Sequence, residues 1–332
     1  MIFQLQIKYL LRKPRGAENG HLSTRLIQPL CKGTIQLIGV CLIGQLSLPF
    51  SASAQQTVQN VRELLDVPYV TGGHERQKLD LFLPQVPDDK PCPVIVRIHG
   101  GAWRHGDKSA QRGVAGYVKQ GYIGVAINYR FSQQAIFPAQ IEDCKAAIRW
   151  LRANAEEYGI DPERICVVGS SAGGHLAALL GTTGDSQHFD VGEHLGFSSA
   201  VCAVVDNFGP TDLLEANRTP GFENRMSMVT QLLGGTVAEK PELAAAANPI
   251  NYISLADPPF LIIHGDADPI VPINQSELLH AALEKAGVPS QIHIVQGGMH
   301  GGNLFKTSQC KILLKDFLKQ QVMEKTVITD RD

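Results

Sequence analysis

The sequence predicts an α/β protein built on a single, mostly parallel sheet, with helices on both faces and a small cap insertion. Three observations carry this. Short apolar runs alternate with helical periodicity over most of the chain beyond Gln55, the pattern of repeated strand–crossover–strand units. The strand runs are apolar, as both faces of a covered parallel sheet require. A glycine-rich pentapeptide, Gly169-Ser170-Ser171-Ala172-Gly173, joins one such run to an apolar helix. A chain of 332 residues with 44% hydrophobic and 19% charged content can bury a sizeable core in one large domain. No internal repeat or low-complexity linker suggests a second domain. The net charge of −2 argues against a nucleic-acid or anionic-membrane partner.

In chain order, Pro68–Thr71 and Leu79–Leu83 read as short strands entering the sheet antiparallel. Val94–His99 and Ile123–Asn128 read as buried strands. Gln140–Glu157 reads as one helix, with Ile141, Ala147, Ile148 and Leu151 on its apolar face, and Asp161-Pro162 ends that segment before strand Ile165–Val168. The helix after the glycine-rich turn is followed by strands Val201–Val205, Phe260–His264 and Gln291–Val295. Helices are predicted over Asn274–Ala286 and Gln309–Gln321, and Leu213–Asn248, of mixed polarity, suits a cap above the sheet.

The N-terminus differs in kind. Lys8, Arg12, Lys13, Arg15, Arg25 and Lys32 face a single acid, Glu18; Thr34–Phe50 is apolar and uncharged; Ser51-Ala52-Ser53-Ala54 follows. A basic, then apolar, then A-x-A layout predicts a secretory leader over residues 1–54 cleaved before Gln55. The catalytic domain is then 55–332, the location secreted or periplasmic, and no stable membrane anchor remains. The rival reading is a transmembrane anchor, but the apolar run is near the lower length limit for a span and is broken by glutamines and a proline. The spacing of Cys92, Cys144, Cys166, Cys202 and Cys310 fits no metal site and no dense disulfide framework.

G-x-S-x-G between strand and helix is the signature of a nucleophile elbow, a tight turn that lifts a serine clear of the sheet. Only Ser171 fits the frame. A serine needs a base, and the base an orienting acid, each in a loop at the carboxyl end of a strand. Strand Phe260–His264 runs into Gly265-Asp266-Ala267-Asp268-Pro269-Ile270-Val271-Pro272, where the spacing selects Asp268 as the acid and leaves Asp266 to bond loop backbone. His300, set between Gly297-Gly298-Met299 and Gly301-Gly302 after the last strand, is the base; His175, His264 and His293 lie in or beside regular elements. The order Ser, Asp, His is right. After Val94–Ile98, His99-Gly100-Gly101-Ala102-Trp103 supplies oxyanion donors: the N–H groups of Gly101 and Ala102, with that of Ala172 after the serine. Gly100 is an alternative to one of these, and His99 braces the loop.

Together, His99–Trp103, Ala126-Ile127-Asn128-Tyr129-Arg130, Phe137–Asp143, Gly169–His175, Phe208-Gly209-Pro210-Thr211-Asp212 and His264–Pro272 resemble the α/β-hydrolase carboxylesterases. The chain is most similar to the bacterial bifunctional feruloyl and acetyl-xylan esterase-like group, over Asp80 to Leu318. Ala102 departs from the third glycine of hormone-sensitive-lipase-like relatives. The resemblance implies a serine carboxylesterase without metal or organic cofactor, acting on small-molecule or polysaccharide esters such as acetyl or feruloyl esters of carbohydrates. It also implies structural roles for Asn128-Tyr129-Arg130 and Asp143, while Gly209–Asp212 is open between packing and leaving-group contact. A formamidase or other amide hydrolase, and a non-catalytic binding module, are the alternative readings.

Overall fold

A computed structural model describes residues 61–86, 90–184, 186–219, 222 and 225–324. The predicted leader and its cleavage point lie outside the described residues. Eight strands form one sheet: β1 (Val61–Pro68), β2 (Lys78–Pro84), β3 (Cys92–Ile98), β4 (Ile123–Ile127), β5 (Ile160–Ser170), β6 (Ala203–Asn207), β7 (Phe260–Gly265) and β8 (Ser290–Val295). Their spatial order is β1-β2-β4-β3-β5-β6-β7-β8. β2 pairs antiparallel with both β1 and β4, and every pairing from β4 through β3 to β8 is parallel.

β3, β4 and the Ile165–Val168 part of β5 are largely apolar because helices cover both faces. On one face Val94, Val96 and Ile98 meet α1 (Ala139–Ala153), α3 (Ala172–Thr182) and α7 (Asn274–Lys285). On the other, Ile95, Ala126 and Val168 pack against a 3-10 segment, Lys108–Gln120, and α8 (Ser308–Leu318). Between β6 and β7 lie α4 (Leu213–Ala216), α5 (Met226–Leu233) and α6 (Pro241–Ala246), inside the stretch read as a cap. All five described cysteines are buried.

Several element boundaries differ from the sequence reading. The first strand is Val61–Pro68 rather than 68–71, because Gly72, at φ +63°, turns the chain there toward β2. The helix expected over 140–157 breaks after Ala153, where the Asn154 side chain donates to the Trp150 carbonyl (2.8 Å), and a single turn, α2 (Ala155–Tyr158), follows. β5 begins at Ile160 and runs through Asp161-Pro162, where its pairing with β3 is interrupted between Ile160 and Ile165, and the preceding helical turn ends at Gly159 instead. β6 sits two residues later than its apolar run, so that Asp206 and Asn207 pair with Gly169 and Ser170. That register decides how the elbow is held.

Candidate active site

At the end of β5 the chain reverses into α3 through Ser171, which adopts φ 56° and ψ −123°. Such a conformation is costly for a residue with a side chain and persists only where its surroundings fix it. The fixing groups are explicit. The Ser171 N–H donates to the Asn207 carbonyl (2.9 Å), and the Asn207 side-chain amide donates to the Gly169 carbonyl (2.8 Å). A Cβ on Gly169 would fall on the Gly173 carbonyl, so the turn closes only with glycine there.

His300 Nδ1 lies 2.7 Å from Asp268 Oδ2, and its Nε2 lies 2.9 Å from Ser171 Oγ. A carboxylate only accepts, so Nδ1 carries the proton and Nε2 is left to accept from the serine hydroxyl. Asp268 is fully buried and His300 one-fifth exposed. Asp268 Oδ1 also accepts the N–H groups of Ile270 (2.7 Å) and Val271 (3.1 Å). Burial alone would raise this carboxyl; hydrogen bonds from His264, His300 and Ile270 outweigh it and hold the group well below the usual carboxylate range. His264 Nε2 stands 3.3 Å from Asp268 Oδ2 and 2.9 Å from the Val271 carbonyl, while its Nδ1 meets Ser276 Oγ at 2.7 Å. Asp266 Oδ1 accepts the Gly297 N–H (2.7 Å), tying the acid loop to the histidine loop. The Phe208 ring packs 4.6 Å from the His300 ring, centroid to centroid.

The loop after β3 turns through three consecutive positive-φ residues, Gly101, Ala102 and Trp103. The N–H groups of Gly101, Ala102 and Ala172 have no acceptor among the described residues. Ala172 opens α3, where unmet N–H groups and the helix dipole together favour negative charge. Gly100 lies against the elbow, where a Cβ would stand 3.2 Å from Ser171 Cβ.

Two buried histidines anchor this loop. His99 accepts from Arg76 through Nε2 (3.1 Å) and donates through Nδ1 to the Gly100 carbonyl (2.7 Å). His175 accepts from the Trp103 indole N–H (3.2 Å) and donates to the Ala247 carbonyl (2.7 Å). Burial lowers each to about 4, so both are neutral near pH 7. Arg76 further donates to the carbonyls of Tyr129 (2.9 Å) and Gly106 (3.2 Å). Asp143 binds the Arg130 guanidinium (2.7 Å) and the Gln77 amide (2.7 Å) beneath the loop. Asp212 caps α4, accepting from Leu214 N–H (2.9 Å) and Glu215 N–H (3.0 Å), whereas Pro210 lines the pocket.

That pocket, about 40 Å³, abuts Ser171 and is walled by Ala102, Trp103, Phe222, Met228 and Ile270 among others. The structure therefore gathers Ser171, Asp268 and His300 in one chain of hydrogen bonds beside Gly101, Ala102 and Ala172. No three His, Cys, Asp or Glu side chains among the described residues are placed to hold a metal ion. Asn207 and Arg76 support the site without any sequence motif marking them, and His264, which opens the acid-loop motif, was not read as a partner of Asp268. Asp206 is a fourth: Oδ1 accepts the Gly209 N–H (2.9 Å), Oδ2 has no partner among the described residues, and burial pushes the carboxyl up to about 6.

Strand order, elbow and loop placement define an α/β-hydrolase fold. Solved structures agree: a truncated carbohydrate esterase from gut microbiota is 34% identical at a TM-score of 0.71, covering 79% of this chain and 97% of its own. A bifunctional GH43-CE protein from Bacteroides eggerthii is 37% identical at a TM-score of 0.71, covering 78% of this chain and 35% of that one. Residues 79–283 match BD-FAE, and this chain belongs to the BD-FAE family. Among curated relatives, esterase LipQ of Mycobacterium tuberculosis (strain ATCC 25618 / H37Rv) is 38% identical over 67% of this chain. Esterase LipC of the same organism is 34% identical over 70%. The chain spans about half the length of these relatives, 53% of LipQ and 59% of LipC.

Proposed function

We propose that this chain is a serine carboxylesterase. The observation that carries the reading is the continuous relay from Ser171 Oγ through His300 to the buried Asp268, at 2.9 and 2.7 Å. Ser171 attacks the ester carbonyl while His300 Nε2 takes its proton; Asp268 holds the imidazole in the tautomer this needs and stabilises the imidazolium. Negative charge on the carbonyl oxygen is met by the N–H groups of Gly101, Ala102 and Ala172. His300 then protonates the departing alcohol, and water activated by the same nitrogen releases the acid from the acyl-enzyme.

The apolar walls and small volume beside Ser171 suit short acyl groups, acetyl foremost. The carbohydrate esterase among the structural neighbours and the motifs shared with acetyl-xylan and feruloyl esterases favour esters of plant polysaccharides as substrate. The basic and apolar leader favours export, with cleavage before Gln55, which the mass of the exported protein reads directly. Ser171→Ala is expected to lower hydrolysis of 4-nitrophenyl acetate by at least about 10³-fold, the scale of triad contributions. Retention of more than about a thousandth of wild-type kcat would refute the assignment.

A further inference from the structure

Several arginines of the domain are saturated. Arg76, Arg130, Arg149 and Arg152 each give several hydrogen bonds to carbonyls or carboxylates. Arg225 is different. It immediately precedes α5 and lines the small pocket at Ser171, yet its Nε is buried with no hydrogen-bond partner. The residue as a whole is half-buried, and its guanidinium has no ion pair or hydrogen bond to another described residue. Guanidinium stays charged at any ordinary pH, and a buried donor without an acceptor is a standing cost that native structures rarely accept. Apart from Ser171 the rest of the wall is apolar, including Phe222, Met228, Val229 and Ile270, so little among the described residues competes electrostatically for the cation.

We propose that Arg225 makes this pocket a receptor for a carboxylate carried by the substrate, a short distance from the scissile ester. The planar fork of a guanidinium matches a carboxylate through two parallel hydrogen bonds. With only about 40 Å³ beside the nucleophile, the anion lies within a few bonds of the reacting carbonyl. The carboxylate has two sources: the acyl side, as in the half-ester of a short dicarboxylic acid, or the alcohol side, as in the acetyl ester of an acidic sugar. This inference rests on the esterase reading above.

Two matched pairs of esters test it on the full chain. On the acyl side, kcat/KM for 4-nitrophenyl hemisuccinate is compared with that for 4-nitrophenyl butyrate. On the alcohol side, acetylated galacturonate is compared with acetylated galactose. The wild type should favour the anionic member of one pair by about tenfold or more, the range a charged hydrogen bond supplies. Arg225→Met should cut that ratio at least about fivefold, and Arg225→Lys should keep part of it. Each ratio is internal to one preparation, so a partly folded variant does not distort it. Indifference in both pairs, or a ratio unmoved by Arg225→Met, overturns the proposal. Turnover of none of the four esters would defeat the esterase reading itself. The anion site is then judged by succinate titration of the indole fluorescence of Trp103, which lines the same pocket. Saturable quenching that weakens about tenfold in Arg225→Met upholds the anion site, and its absence overturns it.

Discussion

Replacing His175 by glutamine should flatten the response of folding stability to acid between pH 7.5 and 4.0. His175 is fully buried and bound at both nitrogens, accepting from Trp103 and donating to Ala247. A proton on Nδ1 would confront the indole N–H with a second donor. Burial already holds the folded group at about 4, against 6.5 for an exposed imidazole. Between those two values the unfolded chain binds a proton that the folded protein refuses, so stability falls as pH falls through this window. At about 1.4 kcal/mol per pH unit, the loss attributable to His175 is about 3 kcal/mol. His99, also lowered by burial to about 4, acts in the same direction, and Asp206, raised by burial to about 6, acts in the opposite one. Both are present in wild type and variant and cancel in the difference. Glutamine keeps a donor and an acceptor but does not titrate. Urea denaturation of the two proteins at pH 7.5 and 4.0 gives that difference, and the wild-type advantage should shrink by about 3 kcal/mol. An advantage constant to within about 0.5 kcal/mol would refute the burial argument.

Two further substitutions test the supports of the site. Gly101→Ala places a Cβ on the His105 carbonyl at a φ of +112°, so the loop must shift; kcat on 4-nitrophenyl acetate should fall by about 10²–10³, the worth of an oxyanion donor. Unchanged kcat would remove Gly101 from the oxyanion set. Lys108→Met strands the fully buried Asp80 carboxylate, now 2.6 Å from the Lys108 ammonium, and should destabilise the fold by about 3–5 kcal/mol in urea denaturation. A loss below about 1 kcal/mol would refute the pairing argument for Asp80.

What the sequence made legible follows the range of the interactions involved. Ser171, Asp268 and His300 each stand where an apolar strand runs into a turn rich in glycine or aspartate, so backbone requirements a few residues long mark them. The helical face of α1 was legible for the same reason, through its periodicity. The register of β6 was not. Its apolar run ends at Val205, yet pairing with β5 carries the strand to Asn207, because the elbow supplies partners no local pattern announces. Asn207 holds Gly169 from 38 residues away, and Arg76 reaches Tyr129 from 53. His264 looked like the polar end of a strand; only the folded loop brings it within 3.3 Å of Asp268. The predicted 140–157 helix breaks at Asn154, whose side-chain amide joins its own N–H on the Trp150 carbonyl.

Catalysis on this reading requires Ser171, made nucleophilic by His300, to form a covalent intermediate. Labelling the folded protein with a fluorophosphonate and mapping the adduct by peptide mass spectrometry tests this most directly, since Ser170 is adjacent and equally a serine. One adduct is expected, on Ser171, formed with wild type and lost in His300→Ala. An adduct on Ser170, no adduct at all, or labelling that survives the loss of His300 would contradict it.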